Sequence, residues 1–221
     1  MNIILLGAPG SGKGTQGDRL EKLFNIKKLS TGDILRHEVK EKSELGMEVK
    51  SVIEAGGLIP DEIMIKLISN TIKLVEYKNG FILDGFPRTL AQAKALSTMF
   101  SDRKIHLNAV IELKVDEQIL IDRVSLRYSC AKCNMSYNNK FKNTEVQGVC
   151  DNCGSNDFIH REDDNANTLK ERLNIYHVQM EQILPYYKER QILYSVNGMN
   201  DIDDVTNEIN IILKSAPNIL T

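Results

Sequence analysis

Two clusters of residues in this chain have the types and spacing to do chemistry. The first is GAPGSGKGT, residues 7–15, in which Gly7-x4-Gly12-Lys13 has the spacing of a nucleotide phosphate loop. Glycines there let successive backbone N–H groups turn inward as an anion-binding nest, and a helix starting after them aims its positive end at the same point. Lys13 has the reach for terminal phosphates. The common pattern sets Ser or Thr directly after the lysine, whereas here Gly14 precedes Thr15, so the hydroxyl comes one residue later. Such a loop specifies a nucleotide, not a reaction, because motors, switches and kinases all use it.

The second cluster holds every cysteine of the chain, as Cys130-x2-Cys133-x16-Cys150-x2-Cys153. This is the paired-knuckle spacing of structural zinc sites. Four thiolates close a tetrahedron and leave no coordination position for water, which points to a structural ion; iron also occupies such sites. Three uses stand open: a redox switch, a nucleic-acid-binding ribbon, or a metal clip holding part of an enzyme in shape. A redox dithiol of the thioredoxin kind belongs beside a strand and helix, which the polar surroundings do not supply. A ribbon would read bases with basic and aromatic side chains, and Lys132, Lys140, Lys142, Tyr137 and Phe141 form a thin version of that signature. His160, just past the last knuckle, reads as a surface residue and not a ligand.

The elements that must position these clusters follow from the apolar pattern. NIILLG (2–7) reads as a buried strand, and residues 13–25 have helical spacing through Leu20, Leu23 and Phe24. The alternation recurs as strand 80–85, helix 89–100, strand 108–113, helix 116–127 with an Asp116 cap, strand 191–196 and helix 205–214. Strands alternating with helices predict a doubly wound parallel sheet covered on both faces. Residues 31–59 read as helix-rich with no strand between, and 128–160 are polar and unable to build a core alone. Both are read as inserts in one core, which assigns 1–29, 60–127 and 161–221 to the core domain, 30–59 to one insert and 128–160 to the other.

Bulk composition narrows the function classes. The chain of 221 residues is 42% hydrophobic and 26% charged, with 28 Lys+Arg against 30 Asp+Glu and a formal net charge of -2. That excludes collagen-like, disordered and membrane classes, and no global field draws nucleic acid or anionic lipid. Neither a signal-peptide pattern nor a membrane span is visible, so a cytoplasmic, reducing setting is expected, in which clustered cysteines hold metal more often than they form disulfides.

Four further short motifs decide the reaction class: STGDILR (30–36), DGFPRTLAQ (84–92), DRVSLR (122–127) and REDD (161–164) with Arg172. They carry Arg36, Arg88, Arg123, Arg127, Arg161 and Arg172, and each lies at a predicted strand end or insert boundary. Loops at the carboxyl ends of parallel strands share one crevice, so residues 7–15 and 84–88 should face the same space. Five motifs in this order and at these intervals, over essentially the whole chain, resemble the adenylate kinase family, in its long-lid bacterial form with a four-cysteine zinc-binding lid.

The resemblance implies a P-loop nucleoside monophosphate kinase fold, with 30–59 closing over the acceptor nucleotide and 128–160 as a lid over ATP. It implies ATP binding by Gly10, Ser11, Gly12, Lys13, Gly14, Thr15, Arg123, Arg127 and Gly198, with Arg123 stacked on adenine. AMP would be bound by Thr31, Arg36, Gly85, Arg88, Gln92, Arg161 and Arg172, with Arg36 and Arg88 on its phosphate and Gln92 at the adenine edge. Lys13, Arg88, Arg127, Arg161 and Arg172 would be catalytic, and Asp33 and Asp84 would hold water around Mg2+. Asp84 also has a plainer reading, as a turn residue satisfying backbone donors ahead of Gly85. Asn138 departs from the pattern, because related lids often carry histidine there.

The implied activity is reversible transfer of a phosphoryl group from MgATP to AMP, giving two ADP, by a monomer with a structural Zn2+ and with no nucleic-acid or membrane partner. A sister kinase using GTP or a pyrimidine monophosphate is the nearest alternative, and a non-catalytic nucleotide-binding regulator with a zinc ribbon comes from another class. The chemistry independently suits such a set, since in-line phosphoryl transfer requires positioning and charge compensation and no general base.

Overall fold

The computed structural model describes residues 1–54, 57, 59–161 and 164–215. Parts of three expectations lie outside the described residues: positions 55, 56 and 58 of the first insert, 162 and 163 of the REDD motif, and 216–221 of the core.

β1 (Asn2–Gly7) is apolar on both sides because both sides are covered, as the parallel arrangement requires. Its side chains alternate between two apolar layers, Ile4 and Leu6 on one face and Ile3 and Leu5 on the other. α1 (Lys13–Phe24) begins at Gly12, whose φ of 99° is a left-handed conformation that glycine adopts without strain. β2 (Lys27–Ser30) follows, and Ser30 caps α2 (Thr31–Lys40) by accepting the Asp33 N–H. α3 (Glu44–Glu54) packs so closely on α2 that a Cβ on Gly46 would lie 2.1 Å from the Glu38 carbonyl oxygen. α4 (Asp61–Thr71) returns the chain to the core, and β3 (Phe81–Asp84), α5 (Leu90–Asp102), β4 (Ala109–Lys114) and α6 (Glu117–Ser125) come next.

The second insert is strand-built. β5 (Arg127–Cys130) lies between β6 (Ser136–Asn138) and β7 (Phe158–Ile159) in a small antiparallel sheet. Cys130, Tyr137 and Cys150 form its buried centre, with Tyr128 stacked on Tyr137 and Phe158 edge-on to both rings. α7 (Ala166–Glu189), β8 (Leu193–Asn197) and α8 (Ile202–Ser215) complete the core.

The main sheet has the order β2-β3-β1-β4-β8, all parallel. The expected doubly wound class is therefore observed, and each predicted core strand and helix is present within a few residues of its expected limits. β2, α4, α7 and the three insert strands are additions. β2 escapes a hydrophobic-pattern reading because KKLS buries only Leu29 fully. Among the described residues no helix is long and apolar enough to cross a membrane.

Leu83 has no exposed surface and lies in the larger apolar layer. Leu83→Ala is expected to lower unfolding free energy by about 2–5 kcal/mol, measured by urea denaturation.

Candidate active site

The carboxyl ends of β1 and β3 are where the two crossovers diverge, and the phosphate loop and the 84–88 turn leave the sheet side by side there. Close packing fixes the loop. Gly7 has φ of 152°, and a Cβ there would meet the Ser11 hydroxyl at 2.5 Å; Gly10, with φ of 82°, would meet Val124 at 2.9 Å. Gly12, by contrast, faces open space. Lys13 Nζ donates to the carbonyls of Gly7 and Ala8 at 2.8 and 2.9 Å, laying its stem across the loop.

A cavity of about 260 Å³ opens on this loop. Lys13 and all six motif arginines, Arg36, Arg88, Arg123, Arg127, Arg161 and Arg172, line it, together with Gly10, Ser11, Gly12, Gly14, Thr15, Asp33, Asp84, Gly85 and Gly198. Thus the separated motifs converge as expected. Two expected site residues lie outside the lining. Thr31 is buried with its hydroxyl donating to the Gly85 carbonyl at 3.1 Å, and Gln92 is buried behind Arg88.

The electrostatics follow from crowding cations in a partly dry cleft. Burial pushes the Lys13 ammonium down to about 8; Asp84 opposes this, while Arg88, Arg172 and Arg127 add to it. Arg161 is likewise pushed down, to about 10, first by burial and then by Arg127 and Arg36, and stays charged at neutral pH. Acids offset part of the repulsion. Asp33 lies 2.5 Å from Arg36 and 3.5 Å from Arg161, and its carboxyl is held below the usual range because these cations outweigh its burial. Asp164 accepts both a 2.6 Å bond from Arg127 Nε and a bond from Nη2. That fork ties β5 to the segment leading into α7. Arg123 donates to the Gly198 carbonyl at 3.0 Å, and its guanidinium lies 5.4 Å from the Phe141 ring centre.

Sequence reasoning missed Asp164, Lys28 and Asp18 as site residues, and read Lys142 only within a thin nucleic-acid signature. Asp164 was in the quoted REDD stretch, but its partner lies 37 positions away. Lys28 and Asp18 form an ion pair on the cavity wall, with nothing in KKLS to mark it. Lys142 enters the cavity from the second insert and packs over the Tyr137 ring, whereas Lys140 pairs with Asp122 at 2.8 Å. Asn138 holds its own turn: it donates to the Arg123 carbonyl and accepts from the N–H groups of Lys140 and Phe141. His160 is exposed, and its Nδ1 is 2.9 Å from the Arg127 carbonyl.

The four cysteine sulfurs lie within 4.8 Å of one another, with Cys130–Cys153 and Cys133–Cys150 both at 3.5 Å. A tetrahedral four-thiolate zinc has sulfurs roughly 3.8 Å apart, so the donor set fits a metal ion of that kind. Tyr137 supports it by donating to Cys150 Sγ and accepting the Asp151 N–H. Burial opposes the Cys150 thiolate, but this bond and N–H groups of Asn152 and Cys153 prevail and bring it down to about 6.

A parallel sheet of this order with a phosphate loop after β1, a helical insert and a cysteine-bearing insert defines a P-loop protein of the nucleoside monophosphate kinase type. Residues 5–192 match the family model described as Adenylate kinase. Relatives named adenylate kinase include one from Allorhizobium ampelinum, 46% identical over 96% of this chain and 99% of its own length, and one from Paramagnetospirillum magneticum, 44% identical over 98% and 100%. Another, from Zymomonas mobilis, is 47% identical over 97% of this chain and 96% of its own length. The chain belongs to the adenylate kinase family.

ATP phosphates seated beside Lys13 would favour its charged form, so nucleotide binding above pH 8 should take up a proton, and affinity for ATP should fall as pH rises through 8. Calorimetry at pH 8.5 in buffers of different ionisation enthalpy should show that uptake, and Lys13→Met should abolish it. Replacing one sulfur of the cluster, Cys153→Ser, should lower the melting temperature of the second insert more than it lowers turnover. Scanning calorimetry beside kcat checks this, and an unchanged melting profile would refute a structural metal.

Proposed function

We propose that the protein catalyses reversible phosphoryl transfer from MgATP to AMP, giving two ADP. One observation carries the reading: Lys13, six arginines and two carboxylates from five separated motifs face one cavity at the carboxyl ends of parallel strands. A phosphate-binding protein needs the loop alone. A transferase needs cations on both sides of the moving group, which is the arrangement that positions donor and acceptor in line and compensates charge in the transition state.

In this reading the backbone of Gly10 to Thr15 and Lys13 hold the donor phosphates. Arg123, braced by Gly198 and packed on Phe141, borders the donor base. Arg36 and Arg88 bind the acceptor phosphate, and Arg127, Arg161 and Arg172 converge on the group in transit. Thr31 and Gln92, behind the Gly85–Arg88 turn, shape the acceptor base site. Mg2+, when bound through water to Asp84 and Asp33, neutralises phosphate charge. Asp33 is then shared with Arg36 and Arg161, which makes its magnesium role the more indirect of the two. Zn2+ held by Cys130, Cys133, Cys150 and Cys153 fixes the second insert as a lid. In this reading the lid, closed over the bound nucleotides, excludes water, which competes with AMP as phosphoryl acceptor.

The test is transfer from MgATP to each nucleoside monophosphate in turn, beside a no-acceptor control. Turnover with AMP alone, lost in Lys13→Ala and lowered about 100-fold or more in kcat for Arg172→Ala, is the expected result. ATP loss without an acceptor, or no turnover, would sink the reading.

A further inference from the structure

Behind the acceptor side of the cavity lies a polar cluster that the reaction does not itself account for. Asp61 opens α4, where the first insert rejoins the core, and Gln92 lies in the first turn of α5. Gln92 Nε2 donates to Asp61 Oδ1 at 2.7 Å, and Gln92 Oε1 accepts the Arg88 N–H at 2.6 Å. Thr89, the cap of α5, accepts the Gln92 N–H at 3.0 Å and donates its hydroxyl to Asp61 Oδ2 at 2.8 Å. Gln92 is only 2% exposed, so these bonds form out of water, where a mismatched donor and acceptor is most costly.

Every bond in this cluster has one polarity. A carboxylate accepts and does not donate, so Asp61 requires the NH2 end of the Gln92 amide and the O–H of Thr89. The Arg88 N–H, a donor, requires the carbonyl end of the same amide. The amide is therefore fixed one way round from both ends. These contacts use one N–H of Nε2 and one lone pair of Oε1, and the amide keeps one more of each, in an order those two bonds fix. With Gln92 as an acceptor-base residue, they are an acceptor and a donor offered to the base in that order. That order complements the exocyclic amine and ring nitrogen of a 6-aminopurine, and it opposes the keto oxygen and ring N–H of a 6-ketopurine.

We propose that Asp61 is a specificity-positioning residue: by fixing the orientation of the Gln92 amide, it makes the acceptor site select adenine over hypoxanthine. The inference rests on the reading of Gln92 as a residue of the acceptor base site. Asp61 itself touches no substrate.

The experiment compares wild type, Asp61→Asn and Asp61→Glu with AMP and IMP as acceptors at saturating MgATP. An asparagine at 61 can donate to Oε1 as well as accept, so the amide is held one way by the Arg88 N–H alone, and reversing it loses one bond in place of two. The ratio of kcat/KM for AMP over IMP should fall about tenfold in Asp61→Asn, which corresponds to one hydrogen bond. Asp61→Glu, which keeps an acceptor-only group, should retain the ratio even where its rate is lower, and KM for ATP should stay at the wild-type value in both. Equal losses on AMP and IMP, or an unchanged ratio, would overturn the proposal, because a merely structural Asp61 changes both acceptors alike. Should Asp61→Asn fail to fold, Asp61→Ser is read in its place, since a hydroxyl, able to donate or accept, also removes the constraint at the Nε2 end. A wild-type enzyme with no AMP turnover would instead defeat the proposed function, which separates the two failures.

Discussion

Like charges in a small space are the constraint on which the rest of this structure depends. Lys13 and six arginines face one cavity, and burial together with neighbouring arginines disfavours the charged forms of Lys13 and Arg161. A flexible frame would relieve that by letting side chains swing into water. Here the frame resists that, because the phosphate loop packs against Val124 and folds tightly on its own Ser11, and the sheet is buried on both faces. The carboxylates are few and placed where they pair: Asp33 between two arginines, Asp164 in a fork with Arg127, and Asp84 beside Lys13. What is left is a surplus of positive charge in fixed positions, which polyphosphate answers.

The sequence made the chemistry more legible than its supports. The phosphate loop could be read because glycine at set positions is a steric requirement, and Gly7 and Gly10 show the contacts that impose it. The cysteines could be read because metal geometry dictates ligand spacing. The arginines were legible as motif members, and the parallel sheet brought them together. The polar supports were not: Asp61 and Gln92 are 31 positions apart, and Arg127 and Asp164 are 37 apart. No periodicity records such pairs, because each is an agreement between two distant segments that only the folded chain brings together.

Polar strands were the other loss. β2 and the three strands of the second insert lack the apolar alternation that marks half-buried strands, since each relies on something besides its own pattern. β2 is held by pairing with β3, and the insert strands by three packed rings and a four-sulfur cluster. Asn138 illustrates the limit of resemblance. The position departs from the family pattern, yet its amide closes a turn and bonds the Arg123 carbonyl, so the departure is absorbed locally.

The fork between Arg127 and Asp164 joins the place where the chain leaves the core for the second insert to the place where it comes back. His160 beside the Arg127 carbonyl draws the same two strands together. An excursion fastened at its base in this way is mechanically a pendant, whose length and internal cement are decoupled from the sheet that carries it. Such a base leaves the excursion open to replacement by one of different size or one held together by other means, while the cations that the core sends into the cavity keep their places.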